Sequence, residues 1–196
     1  MRCSFRDLIK VTALCAGSFS CATAAQAQTR AIDTAKSTLI VRVFKSGLLS
    51  GLGHDHEIAA PVAAGSVDGS AGRVELHANA RSMKVADQKI SDKDRAEIQS
   101  NMEGPQVLDS EHFPAIAFRS TSVEPKGAGA WTVNGNLTLH GQTRAVAVDV
   151  REAEGRYLGT SRFRQSDFGI KPIKIAGGAV QVRDEIRVEF DIQLTR

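Results

Sequence analysis

Apolar and polar side chains alternate with a period of two along most of this chain, and that constrains its fold more than any other feature. Ile186, Val188, Phe190, Ile192 and Leu194 take every second position, with Glu185, Arg187, Glu189, Asp191 and Gln193 between them. Successive side chains of a strand point to opposite faces, so the pattern specifies a strand with one buried and one wet face. Trp131, Val133, Leu137 and Leu139 repeat it, as do Val146, Val148 and Val150; Gly141-Gln142 lies between these runs as a tight turn, which makes them a hairpin. Val74, Leu76 and Ala78, then Ile116 and Phe118, then Leu39, Val41 and Val43 add further strands, and 54–60 and 156–164 carry the pattern more weakly.

Ser91–Glu103 breaks the pattern. It is rich in helix formers, opens on a capping-box-like Ser91 and Asp94, places Ile98 and Met102 one turn apart as anchors, and stops at Gly104-Pro105. The expected fold is therefore all-β, about eight antiparallel strands with one short helical insertion. A single open sheet of that size would expose its edges, and closure into a barrel removes them. Eight strands is also the size at which a barrel interior is either filled by side chains or holds one small ligand.

Residues 1–27 read as a secretory signal peptide. Arg2, Arg6 and Lys10 precede the short apolar run Val11–Phe19, and Ala25-Gln26-Ala27 offers a small-x-small cleavage site before Gln28. The run is shorter than the ~20 residues that span a bilayer, so no transmembrane anchor is expected in the mature chain. Cys3, Cys15 and Cys21 all lie in this leader. A domain over 28–196 is thus expected in the periplasm or outside the cell, with no disulfide and no thiolate. Removal of the leader leaves 22 basic against 21 acidic side chains, and with no basic stripe there is no electrostatic support for nucleic-acid binding.

No Gly-x-Ser-x-Gly elbow, His-Glu-x-x-His or phosphate loop is present. Asp167-Phe168-Gly169 matches a kinase signature only in isolation; Gly169 reads as relief at a bend and Asp167 as a partner of local backbone. Non-enzymatic binding is the expectation. His54-Asp55-His56 is the sharpest local feature. On a strand both imidazoles would face one side, and neutral imidazole suits Zn, Cu, Ni or Fe. A periplasmic metal-binding protein using His54 and His56 is therefore the alternative reading, with a polar turn as the plainer one. Lys171, Lys174, Arg183 and Arg187 add local positive charge that reads as solvated surface.

Five segments in order resemble the YceI family of secreted bacterial proteins. They are Gly47-x-x-x-Gly51-x-Gly53-His54-Asp55-His56, Phe113-Pro114-x-Ile116-x-Phe118-x-Ser120-Thr121, Gly135-x-Leu137-Thr138-Leu139-x-Gly141-x-Thr143, Ser166-Asp167-Phe168-Gly169-Ile170 and Val182-x-Asp184-x-Ile186. The resemblance implies an extended lipocalin-like barrel around a hydrophobic channel that binds an isoprenoid-type lipid, such as an isoprenoid quinone. It implies no required cofactor beyond that ligand, and it leaves a homodimer open. Phe44, Leu48, Leu52, Ile58 and Phe118, with Trp131, Leu137, Phe168 and Ile170, are the candidate wall residues. From the residues alone they serve equally as a filled core; the resemblance favours a channel, with the ligand's head near the Gly47–His56 turn or the 166–175 loop.

Overall fold

The computed structural model describes residues 29–47, 55–175 and 179–195. The expected leader, Leu48, Leu52, His54 and the Gly177-Gly178 turn lie outside the described residues. Among the described residues, twelve strands form one antiparallel sheet: β1 (Thr29–Ala31), β2 (Thr38–Ser46), β3 (His56–Ala59), β4 (Val62–Asp68), β5 (Arg73–Asn79), β6 (Lys84–Val85), β7 (Ala115–Gly127), β8 (Ala130–Leu139), β9 (Gln142–Ala153), β10 (Arg156–Arg164), β11 (Lys174–Ile175) and β12 (Val180–Gln193). Twelve exceeds the expected eight for a simple reason. β1, β6 and β11 are short additions, and β3 and β4 are one stretch broken at Ala60-Pro61, where proline has no N–H to give a ladder. That stretch with β2, β5, β7, β8, β9, β10 and β12 makes the long staves of the barrel.

The broken stretch also curls the sheet back on itself. β3 pairs with β2 through Ile40↔Ala59, Val41↔Ile58, Arg42↔Glu57 and Val43↔His56, while β4 pairs with β5. One continuous piece of chain therefore joins the two ends of the strand order. β1 fills the remaining seam: it pairs with β4, Ile32 bridges Leu194, and Thr195 N–H donates to the Ala31 carbonyl at 2.8 Å. Residues at an edge that would otherwise offer unpaired backbone groups are thereby paired.

The β8–β9 hairpin forms, but its two-residue loop is His140-Gly141, both at positive φ, rather than the expected Gly141-Gln142: Gln142 pairs with Leu139 as the first residue of β9. Glu154 and Gly155 repeat that geometry between β9 and β10. The helix α1 (Asp92–Glu103) is capped by Ser91, whose hydroxyl accepts from the Asp94 N–H at 3.1 Å. Its anchoring differs from expectation. Met102 is buried, but Ile98 is only half-buried. The Gln99 amide does the docking instead: it donates to the Met83 carbonyl and accepts from Val85 N–H, both at 2.9 Å, so a side chain completes the pairing of β6.

The two ends of the barrel differ. At one end α1, the 3-10 turns Ala80–Ser82 and Gln165–Phe168, and the His140-Gly141 turn converge, and Met83, Met102, Leu108, Leu139, Phe168 and Ile170 bury one another there. The other end carries the turn between β4 and β5, the β7–β8 turn and the Glu154-Gly155 turn. These are the capped end and the rim end.

Candidate functional site

The inward faces of the staves enclose a cavity of about 380 Å³. Its wall follows from strand parity. Leu39, Val41 and Val43 of β2 face in, as do Ile186, Val188, Phe190 and Ile192 of β12, while Arg42, Glu189 and Asp191 face out into ion pairs. Arg42 Nε lies 2.7 Å from Glu189 and its guanidinium also contacts Glu57, tying β12, β2 and β3 together on the outer surface. The Arg42 hydrogen bond holds the Glu189 carboxyl below the usual carboxylate range.

Ile58, Phe118, Trp131, Leu137 and Ile170 all lie on the cavity wall. Phe44 does not. It has the opposite parity to Val43, and its ring sits under the Arg187 guanidinium, 5.4 Å away, on the outer surface. Phe168 is also off the wall: it is fully buried in the capped end, its ring edge-on to Phe163 at 5.2 Å. Leu48 and Leu52 are outside the described residues. The wall further includes Leu76, Phe163, Tyr157 and Phe190, which were not among the candidates; the period-two parity of β5, β10 and β12 is the signal that identifies them.

Two positions that share strand parity with wall residues of β8 and β10 are glycines for a packing reason. A Cβ on Gly135 would lie 2.5 Å from the Phe118 ring and 2.5 Å from the Arg119 carbonyl, and one on Gly159 would collide with the Phe190 ring and the Asp149 carbonyl. Each ring therefore lies against the backbone of a glycine on the neighbouring strand, which leaves that position no room for a side chain.

Polar groups on the wall are few. Ser161 donates to the Ala147 carbonyl and Gln165 to the Arg183 carbonyl, both at 2.7 Å, so these buried groups are spent on backbone. Asp68 is the one charged residue on the wall among the described residues. Its carboxylate accepts from Ala71 N–H at 3.0 Å and from the Ser70 hydroxyl at 2.8 Å, and these bonds hold it below the usual carboxylate range. At the same end, Trp131 and Tyr157 pack at 6.3 Å between ring centroids.

The turn before the capped end is organised by Asp184, not by Asp167. Asp184 accepts from the Ser166 N–H at 2.9 Å and from its hydroxyl at 2.7 Å, across the register shift in β12 between Val182 and Ile186. Gly169 takes the left-handed conformation that ends the 3-10 turn, as its place at a bend suggested.

His56 is on the same face of β3 as Ile58, and its Nδ1 lies 2.6 Å from the buried Asp87, which also accepts from Glu57 N–H at 2.6 Å. His54 is outside the described residues. Among the described residues no three His, Cys, Asp or Glu side chains gather as metal ligands. His140 is spent on the Phe168 carbonyl at 3.1 Å and His112 pairs with Asp109 at 2.7 Å.

A model of the YceI-like domain matches residues 31–194 of this chain. A UPF0312 protein of Shewanella sp. strain W3-18-1 is 38% identical over 90 residues, 41% of this chain and 47% of the relative. A UPF0312 protein of Vibrio cholerae is 29% identical over 113 residues, 53% of this chain and 58% of the relative. The chain thus spans about half the length of the curated relatives it matches. The crystal structure of BcnA from Burkholderia cenocepacia superposes with a TM-score of 0.58 at 19% identity, covering 84% of this chain and 99% of that one, and shares its fold.

Proposed function

The chain belongs to the YceI-like family, and from that premise we propose that it is an exported, non-enzymatic binding protein that holds an amphiphilic isoprenoid-type lipid, such as an isoprenoid quinone, for carriage, storage or protection. The cavity carries this reading. Its volume of about 380 Å³ falls in the ~300–1,000 Å³ range of small-molecule sites, and its wall is almost wholly aliphatic and aromatic. Removing a lipid tail from water into such a wall contributes roughly 25 cal/mol for each Å² of apolar surface buried. Binding needs no other chemistry: the tail is bound by burial, and no bond is made or broken. Loss of residues 1–27 on export to the periplasm belongs to the same proposal.

Titration of delipidated protein with menaquinone-4 tests it. Saturable binding of one quinone per chain is expected, displaced by other isoprenoids. Absence of saturable binding would remove the lipid reading.

A further inference from the structure

We infer that the ligand's polar head rests at the rim end, beside Trp131 and Tyr157, and that this head is an uncharged, oxygen-bearing ring or hydroxyl rather than a phosphate or carboxylate. This deepens the lipid-binding reading above and rests on it.

The first observation is the asymmetry of the cavity. Met83, Met102, Leu108 and Ile170 form its ceiling at the capped end, each buried, with the fully buried Phe168 behind them. A polar head pushed against that ceiling would lose its water and meet, among the described residues, only the Gln165 side chain, whose amide already donates to the Arg183 carbonyl; an amide or hydroxyl buried without a partner costs roughly 2–7 kcal/mol. At the rim end the wall runs out into the β4–β5 turn, where Gly69 is exposed and Asp68 and Gly72 are half-buried.

The second observation is what the rim offers. Trp131 and Tyr157 both line the cavity, lie side by side across β9, and are half-buried. The Trp131 indole N–H and the Tyr157 hydroxyl have no hydrogen-bond partner among the described residues. Neither is sealed from solvent. The indole only donates, and the phenol donates or accepts, so the pair suits a carbonyl or hydroxyl oxygen set on or beside a flat ring.

The third observation is charge. No Lys, Arg or His lines the cavity among the described residues, and its single charged group is the anionic Asp68 at this same rim. Hydrogen bonds from the turn it caps keep that carboxylate ionised. An anionic head would meet like charge and no cation, whereas a neutral head meets two unpartnered hydrogen-bonding groups.

Trp131 is the chain's one tryptophan, so it reports where the head sits. Leu139, at the other end of β8, is eight residues away, about 26 Å at ~3.3 Å per residue. Wild-type protein is titrated with menaquinone-4, geranylgeraniol, geranylgeranyl phosphate and squalene. The same series is run on a Trp131→Phe/Phe163→Trp variant, whose reporter stands toward the capped end. Menaquinone-4 is expected to quench Trp131 strongly and the relocated indole weakly. Geranylgeranyl phosphate should bind at least about tenfold more weakly than geranylgeraniol, and Tyr157→Phe should weaken menaquinone-4 about fivefold, the effect of one lost hydrogen bond, without changing squalene. Stronger quenching of the relocated indole, or phosphate binding as tight as alcohol binding, would overturn the inference while leaving lipid binding intact. Binding of none of the four probes would overturn the lipid reading itself.

Discussion

The ring of Phe118 lies directly against the backbone of Gly135, so close that a Cβ there would come within 2.5 Å of its Cζ. Phe190 lies on Gly159 in the same way. Two large aromatics of the cavity wall thus depend on a glycine in the neighbouring strand. Gly135→Ala is expected to destabilise the barrel by about 1–3 kcal/mol, the usual cost of overpacking. The Gly135→Ala/Phe118→Leu double variant should recover only part of that, because the Arg119 carbonyl is equally close. Thermal unfolding of the three proteins measures both; full recovery would show that the ring alone sets the constraint.

Leu137 sits opposite Phe118 across the β7–β8 ladder and faces the cavity. Leu137→Trp should fill the bore toward the capped end, where the tail is proposed to lie, and abolish menaquinone-4 uptake, at a folding cost of about 1–3 kcal/mol. Circular dichroism and titration on the same sample separate the two effects. A folded variant with unchanged affinity would place the ligand elsewhere.

Asp184 accepts two hydrogen bonds from Ser166 and so fixes the turn that carries Phe168 into the capped end. Asp184→Ala is expected to cost about 1 kcal/mol, reduced by its partial exposure from the larger value of a buried charged hydrogen bond. Faster amide exchange confined to residues 165–170 is the expected signature. Uniform destabilisation with unchanged local exchange would argue against the tie.

Much of this was legible in the residues, and the rest was not for identifiable reasons. Parity along Ile186–Leu194 and Trp131–Leu139 determines which side chains reach the cavity, because a strand leaves only two faces. By the same rule Phe44 belongs outside, since Val41 and Val43 are inside; reading the apolar run without its phase misplaces it. Closure through β3 and β4 was hidden, because nothing local shows that residues on either side of Pro61 pair with strands from opposite ends of the sheet order. Nor does the sequence alone tell which end α1 covers. Gln99, a polar side chain, docks the helix, and its partners Met83 and Val85 lie in another segment.

Glu189 gives a pH-dependent prediction. Its folded-state pKa is depressed, chiefly by the hydrogen bond from Arg42, so it contributes stability above the ordinary carboxylate pKa. That contribution is lost as pH falls through the depressed value. Glu189→Gln should therefore lower stability at neutral pH by about 0.5 kcal/mol, the scale of a partly solvated ion pair, and the difference from wild type should vanish in acid. Chemical denaturation across the acid range measures it, and a difference that persists unchanged below the depressed pKa would contradict the assignment.

On the function proposed, the cavity bounded by β2, β8, β10 and β12 holds an apolar tail. Native mass spectrometry of the protein purified from its own host, before and after organic extraction, tests this most directly. A mass increment matching one uncharged isoprenoid lipid per chain, lost on extraction and restored by added menaquinone-4, is the predicted result. A single unliganded mass under both conditions, with no increment on adding menaquinone-4, would contradict it.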